Sequence, residues 1–465
     1  MAYNKKYQMD MCHGSLFSQI FRFSLPLMGT NIMTLMFHAA DLVVLGQFAA
    51  PEVRTAATAA VGATVALHTL LLIFFSGFSA GVNSITARYI GAKDHQKASL
   101  TVHTSIALGV YGGIFFTVLG LFLARTALQW MSTPSDVLDK ATIYLQIYSI
   151  GLPFTVLYLI GAAILRAVGD TKRPLHYIVI AGVVNVLLNL FFVVVCGLDA
   201  AGVAIATKIS SVLCALLVLR ALMRSEGPIR LVIKKIKFHW GTLKEVLWIG
   251  IPAGIQGALY TVSNIFIQSS VNSLGSAAMA GNAACQSLEG MANVASNGYY
   301  QTAMSFTGQN LGGRKYKRVV RSILICLLYT TAFSMICGGF FLIFGRKLLG
   351  LYNPDAEVIN YGMERLVIMM STYCLCGIMD AISGSLRGLG HSVKPTFTTI
   401  IGACGLRIFW VIAVFPHFRT LQSLTISYPV SWIVTGGVNG LILFLICRRM
   451  LRQAGSAEYA PLKLH

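Results

Sequence analysis

Long apolar stretches constrain this chain more than any other feature. Twelve are expected, near 16–46, 54–83, 97–124, 137–164, 174–195, 201–224, 242–272, 277–306, 318–345, 357–384, 395–416 and 422–447. Apolar runs of about 20 residues are the length that crosses hydrocarbon as helix. Pro, Gly and charge clusters separate the runs. Composition agrees, with 56% hydrophobic residues, 11% charged residues and a mean hydropathy of +0.71. Soluble chains carry roughly 25% charged residues. The first run exceeds a signal-peptide core and is followed by no small-residue cleavage site, so it is expected to be retained as the first helix.

The formal net charge of +20 records topology, not a nucleic-acid footprint. Lys and Arg concentrate in alternate loops, as the positive-inside rule expects of cytoplasmic ones. This predicts a multi-pass protein of the plasma membrane with both termini cytoplasmic. Ten cysteines lie mostly inside apolar runs. Cys374 and Cys376 have no second pair at zinc-like spacing, so the cysteines read as small buried hydrophobes.

The chain repeats itself. Ser84-Ile-Thr-Ala-Arg-Tyr-Ile-Gly91 aligns with Ser305-Phe-Thr-Gly-Gln-Asn-Leu-Gly312 at an offset of 221, and Leu165-Arg-Ala-Val-Gly-Asp-Thr-Lys-Arg-Pro174 aligns with Leu386-Arg-Gly-Leu-Gly-His-Ser-Val-Lys-Pro395 at the same offset. Pro26 and Pro252 correspond at 226, the first loop of half one being longer. Such register points to a duplicated unit. The expected organisation is an N-terminal six-helix half over 1–224, a basic cytoplasmic linker over 225–241, a C-terminal half over 242–447 and a cytoplasmic tail over 448–465. Six spans per half make both halves enter from the same side, the parallel repeat of transporters that rock two bundles about a central site. The expected fold is therefore an all-α polytopic membrane protein, with twelve transmembrane helices in two parallel six-helix repeats around a central cavity.

A shared scaffold accounts for what the halves have in common, so their differences point to chemistry. Asp41 corresponds to Ile267, Asn185 to Leu406 and Asn189 to Trp410; Glu289 stands opposite His68 and Asp380 opposite Leu159. Asn185 and Asn189, four apart, share one helix face. An ionisable group at membrane depth is a functional candidate by default. Burial disfavours the ionised form of a carboxylate, while amide donors and a bound cation favour it, so an Asp among Asn side chains suits exchange of H+ or Na+. Asp41 lies 16 residues beyond Leu25, about 24 Å at helical rise. It belongs either to a cluster with Asn185 and Asn189 or to the outer rim of its helix. His38 shares a face with Asp41, but no third ligand completes a metal site; packing is the plainer reading for His38, His68 and His103.

Two spans carry polar stripes: Asn282, Gln286, Glu289, Asn293 and Asn297 on the eighth, and Gln256, Tyr260, Asn264 and Gln268 on the seventh. Within a span such stripes face protein or a wet cavity, and glue between helices is the alternative to a cargo surface. For Glu289 the cavity reading is preferred, since a carboxylate attracts organic cations. Met33, Met36, Tyr158, Tyr260, Tyr299 and Met304 are candidates for soft or aromatic surface.

With these features the chain resembles the multidrug and toxic compound extrusion (MATE) family of secondary transporters. The likeness rests on twelve spans in two halves, on Pro26 and Pro252 early in each, and on the loop Leu165–Pro174 with its twin at 386–395. It implies cation-coupled efflux, H+ or Na+ entering as organic, often cationic, compounds leave. The family's first-span aspartate falls on Asp41, and its fifth-span Asn-x-x-x-Asn/Asp pair on Asn185 and Asn189. Position 189 is Asn where some proton-coupled members have Asp, Tyr260 stands where some carry a seventh-span Glu, and Asp380 sits about one turn from the tenth-span acid of others. The function read at this stage is an antiporter working by alternating access, with coupling at Asp41, Asn185 and Asn189. Its cargo surface takes in Glu289, Asp380, Tyr260, Asn264, Gln286, Met33 and Met304, and Pro26 lets the first span bend because proline removes a backbone hydrogen bond. No cofactor is implied beyond the coupling ion, and no metal site apart from Na+ at Asp41. Partners are small organic cations and membrane lipid, with no nucleic acid, and the chain is expected as a monomer. A lipid or polysaccharide flippase of the same superfamily is the alternative; it would want Arg and Lys in its cavity, for which Arg22, Lys208, Arg365 and Arg407 are the candidates. No HExxH, GxSxG or Walker A pattern marks an enzyme.

Overall fold

Hydrocarbon offers a backbone no hydrogen-bond partner, so each apolar run closes its own bonds as helix. The computed structural model describes residues 7–48, 51–131, 133, 135–198 and 200–455, and among them there is no strand. Six helical rods come first: α1 (Leu16–Phe48), α2 (Pro51–Gly91), α3 (His95–Trp130), α4 (Ser135–Ile150 continued by Leu152–Ala167), α5 (Lys172–Val195) and α6 (Ala200–Arg224). Six more follow: α7 (Trp240–Asn272), α8 (Ser276–Gly312), α9 (Tyr316–Tyr352), α10 (Ala356–Gly388), α11 (Val393–Val414) and α12 (Leu421–Gly455). All but α8 are long and apolar enough to span, with α4 counted as one rod bent by 46°. α8 is as long as any neighbour but carries the polar stripe, so hydropathy alone passes it over.

The rods run past several expected bounds, α8 to Gly312 and α12 to Gly455. Polar residues end an apolar run without ending a helix, and in α12 the added turns carry Arg448, Arg449 and Arg452, good helix formers in water. The bend in α4 was not expected. Gly151 interrupts the rod and Pro153, at the start of its second part, cannot donate the bond that would continue the first. Basic residues 225–241 are no loose strap: Val232 N donates to His103 Nε2 at 3.1 Å and His239 N to Thr104 Oγ1 at 3.3 Å, which ties the segment to α3. His103 is thus a packing residue.

The chain divides into two compact units. One holds Gly29–Ile90 and Asp94–Leu247 with the segment up to Met9; the other holds Asp10–Met28, Gly91–Lys93 and the chain from Trp248 onward. α1 therefore changes unit between Met28 and Gly29, just after Pro26.

The sequence repeat is matched bond for bond. Lys93 (φ 57°) and Arg314 (φ 55°) are the non-glycine residues with positive φ among those described, and Gly169 (φ 89°) and Gly390 (φ 88°) share the same 221 offset. The turns close alike: Asp170 N to Leu165 O at 2.9 Å, and His391 N to Leu386 O at 2.8 Å. Arg166 donates to Ser79 Oγ, and its counterpart Arg387 donates to Tyr300 OH, again at that offset. In the first turn, burial holds the Asp170 carboxyl above the ordinary carboxylate range against the opposing pull of Arg173.

Each unit turns the usual globular arrangement inside out. Phe122, Trp130, Ile343, Leu351 and Ile401 are largely exposed, whereas Asn83, Asn189, Arg365 and Arg407 are buried. With no hydrophobic drive between helices in lipid, close packing over small residues takes its place. At Gly388 a Cβ would stand 1.9 Å from Thr307 Oγ1 and 2.5 Å from the Met304 carbonyl, so α8 and α10 approach over a bare backbone. Gly388→Leu is expected to cost about 3 kcal/mol by overpacking, read as a lower melting temperature of the detergent-purified protein. An unchanged melting temperature would contradict this contact.

Candidate functional site

The Phe37 ring of α1 packs against Gly182 of α5, where any Cβ would fall 1.8 Å from the ring. That close approach brings Asp41, one turn beyond Phe37, against Asn185 and Asn189. Asn189 Nδ2 donates to Asp41 Oδ1 at 2.5 Å and to Asn185 Oδ1 at 3.3 Å. Asn185 Nδ2 donates to Thr207 Oγ1 at 3.2 Å, and Thr207 Oγ1 donates to Asp41 Oδ2 at 3.4 Å. The four side chains form a closed circuit from α1, α5 and α6. Asp41 is 8% exposed, Asn185 4% and Asn189 0%. Asn189 Oδ1, sealed from solvent, accepts nothing. Asp41 thus sits within the first unit and not at the outer rim of α1.

The circuit opens on a cavity of about 220 Å³ lined in part by Phe37, His38, Tyr148, Tyr158 and Ser211. Lys208, next to Thr207 on α6, lines it too. Its ammonium rests 3.0 Å from the centre of the Tyr148 ring, and His68 stacks on the same ring at 4.8 Å. The stem of Lys208 crosses the α4 break: a Cβ on Gly151 would stand 2.1 Å from Lys208 Cδ. Sequence reasoning did not single out Thr207, and took Lys208 only as a cation for a rival cargo. A lysine inside a 25-residue apolar helix was the available signal, by the rule that flagged Asp41. His38 shares the cavity, but among the described residues no three His, Cys, Asp or Glu side chains converge on one point.

In the second unit the counterpart of Asp41, Ile267, is 2% exposed within an apolar core that includes Tyr373, Tyr428 and Trp432. Glu289 is not a bare carboxylate. Arg365 clasps it through two bonds of 2.7 and 2.9 Å, Nε and Nη2 each donating to one oxygen. Its charge is therefore met inside the protein. Asp380 interacts with Arg387, which donates to Gln256 Oε1 at 2.9 Å. Arg407 donates to Ser431 Oγ at 3.1 Å and Asn264 Oδ1 at 3.4 Å, with its guanidinium 5.2 Å from the Tyr260 ring and 4.3 Å from that of Tyr428. No carboxylate pairs with Arg407 among the described residues.

The seventh-span stripe is thus spent on neighbours: Gln256 on Arg387, Tyr260 and Asn264 on Arg407, Gln268 on Asn282. On α8, Gln286, Asn293 and Asn297 stay exposed while Asn282 is buried. Met304 is 2% exposed, which leaves no surface there for a ligand. Met33 lies in the first unit on an open apolar groove beside Leu175 and Val179, away from the Asp41 cavity. Pro26 stays within the continuous helix α1.

The comparisons with known proteins agree with this architecture. The MatE family model matches residues 26–191 and again 252–412, one copy per half. The probable multidrug resistance protein YoeA of Bacillus subtilis is 25% identical over 89% of this chain and 90% of its own. The multidrug export protein MepA of Staphylococcus saprophyticus is 20% identical over 94% of this chain and 95% of its own. Among solved structures, an outward-facing multidrug resistance MATE family transporter superposes with a TM-score of 0.89 at 20% identity, over 97% of this chain and all of that one. At that identity the likeness carries the fold alone. Two copies of one family model together match more than half of the residues, and on that ground this twelve-helix membrane protein belongs to the MatE family of multidrug and toxic compound extrusion transporters.

Proposed function

We propose that this chain is a secondary antiporter that exports organic amphipathic compounds, cationic ones included, in exchange for H+ or Na+ by alternating access. The observation that carries the reading is the circuit of Asp41, Asn189, Asn185 and Thr207: a carboxylate with no ion-pair partner among the described residues, beside a cavity, where the second half has Ile267. A cation arriving at Asp41 replaces the hydrogen bonds that its oxygens accept. Repacking of α1, α5 and α6 around the circuit then lowers the hold on cargo. Cargo and cation need only prefer opposite states for their fluxes to be linked.

Pro26 serves as the bending point of α1. Proline removes one helical bond, and α1 passes from one unit to the other just beyond it. The proposed layout keeps 1–224 and 242–447 as the two halves, with 225–241 and the tail cytoplasmic, in the plasma membrane. Asp41 is the acid proposed to meet a cationic cargo group, because Glu289 is committed to Arg365. Tyr260, Asn264 and Asp380 are retained as cargo-side candidates, and Gln286 as an exposed polar one.

Two outcomes test this. Asp41→Asn is expected to abolish gradient-driven efflux of ethidium from proteoliposomes while leaving a monodisperse protein; efflux at the wild-type rate would end the coupling role. Glu289→Gln strands the buried Arg365 charge, and breaking such a pair costs about 3–5 kcal/mol. It should therefore lower the melting temperature sharply. Full stability combined with a selective loss of cationic cargo would instead make Glu289 a cargo residue.

A further inference from the structure

Lys208 is a basic side chain buried in a membrane span that the proposed cycle does not use. It lies on α6, 8% exposed, and lines the cavity on which Asp41 opens. Lys208 and Asp41 line the same cavity without ion-pair contact among the described residues. The ammonium is parked on the Tyr148 ring at 3.0 Å. That face holds it by cation–π attraction, which strengthens when water is excluded. Gly151 keeps the stem's path clear.

We propose that Lys208 is a tethered cation that excludes Na+ from Asp41 and so makes H+ the coupling ion. This rests on the reading of Asp41 as the coupling site and decides what that reading leaves open. A carboxylate in water already binds a proton with a constant of roughly 10⁴ M⁻¹, from its pKa near 3.9. It hardly binds sodium at all. Sodium needs a preorganised set of oxygens around a carboxylate whose charge no other cation balances. Here a cation is already on hand, held within the same small cavity by its own chain. A tethered partner competes at an effective concentration in the millimolar range or above.

Placing Na+ beside Asp41 would put two positive charges against one in about 220 Å³. Charges in such surroundings are screened far less than at a surface. A proton forms a covalent O–H bond and needs no coordination shell, so it survives a loss of affinity that removes sodium. The titratable groups facing the pair are His38 on α1, His68 on α2, Tyr144, Tyr148 and Tyr158 on α4, and Cys214 on α6. Among the described residues none is a second carboxylate that would pair with Lys208 and free Asp41 for sodium.

The test is binding of ²²Na+ to purified protein at pH 7, together with ethidium efflux from proteoliposomes driven by a pH or a sodium gradient. Wild type should show no saturable sodium binding, and its pH-driven efflux should be unchanged when K+ replaces Na+. Lys208→Met should acquire saturable sodium binding and sodium-driven efflux, and adding Asp41→Asn should remove both gains. Lys208→Gln serves should the Met variant not fold, and the wild-type arm stands by itself. Saturable, Asp41-dependent sodium binding by wild type overturns the proposal. So does a folded Lys208→Met that still exchanges on a pH gradient and binds no sodium. Gradient-driven efflux that survives in Asp41→Asn would overturn the coupling reading beneath it, a result separate from the sodium measurements.

Discussion

A carboxylate inside hydrocarbon has to find hydrogen-bond donors within the protein, and the interior of the first unit is arranged to supply them. Asp41 is reached by Asn189 and Thr207, and Asn185 closes the circuit between those two. This requires α1, α5 and α6 to stay in register, and the Phe37 contact on Gly182 sets the approach of α1 to α5. In lipid each unsatisfied polar group costs several kcal/mol, so the circuit and the helix packing hold each other in place. The same constraint explains why the second unit clasps Glu289 with Arg365 and why large apolar side chains such as Phe122 and Ile343 are exposed.

The two units share one turn geometry and differ in their polar side chains. Both keep the turn geometry at Gly169 and Gly390 and the arginine anchors Arg166 and Arg387. Those positions are scaffold. Where the first unit places Asp41, Asn185 and Asn189, the second has Ile267, Leu406 and Trp410, and Ile267 is packed in an apolar core. One unit thus keeps an acid held by amides and a hydroxyl, and the other clasps Glu289 with Arg365.

Much of the fold was legible because the bilayer reduces the choice to helix, and the spans are marked by apolar length. The Asp41 cluster was legible for a different reason: an asymmetry between repeats, plus an i,i+4 pair of amides that must share a face. What stayed hidden depends on partners remote in sequence. Glu289 reads as a lone acid on a polar stripe, and only the fold brings Arg365, 76 residues later, against it. Met304 reads as cavity surface until the α8 and α10 contact buries it. Thr207 carries no signal, being one small hydroxyl residue among several on α6, whereas Lys208 carried one that the apolar context made easy to discount.

The central claim is that cation binding at the Asp41 circuit is linked to cargo movement. The most direct test loads proteoliposomes with a pH-sensitive dye, applies no ion gradient, and adds ethidium on one side while following internal pH and internal ²²Na+. Wild type is expected to show a cargo-induced flux of cation, opposite in direction to the cargo, and Asp41→Asn none. Cargo movement without any accompanying H+ or Na+ flux, or the same flux in both proteins, would contradict it.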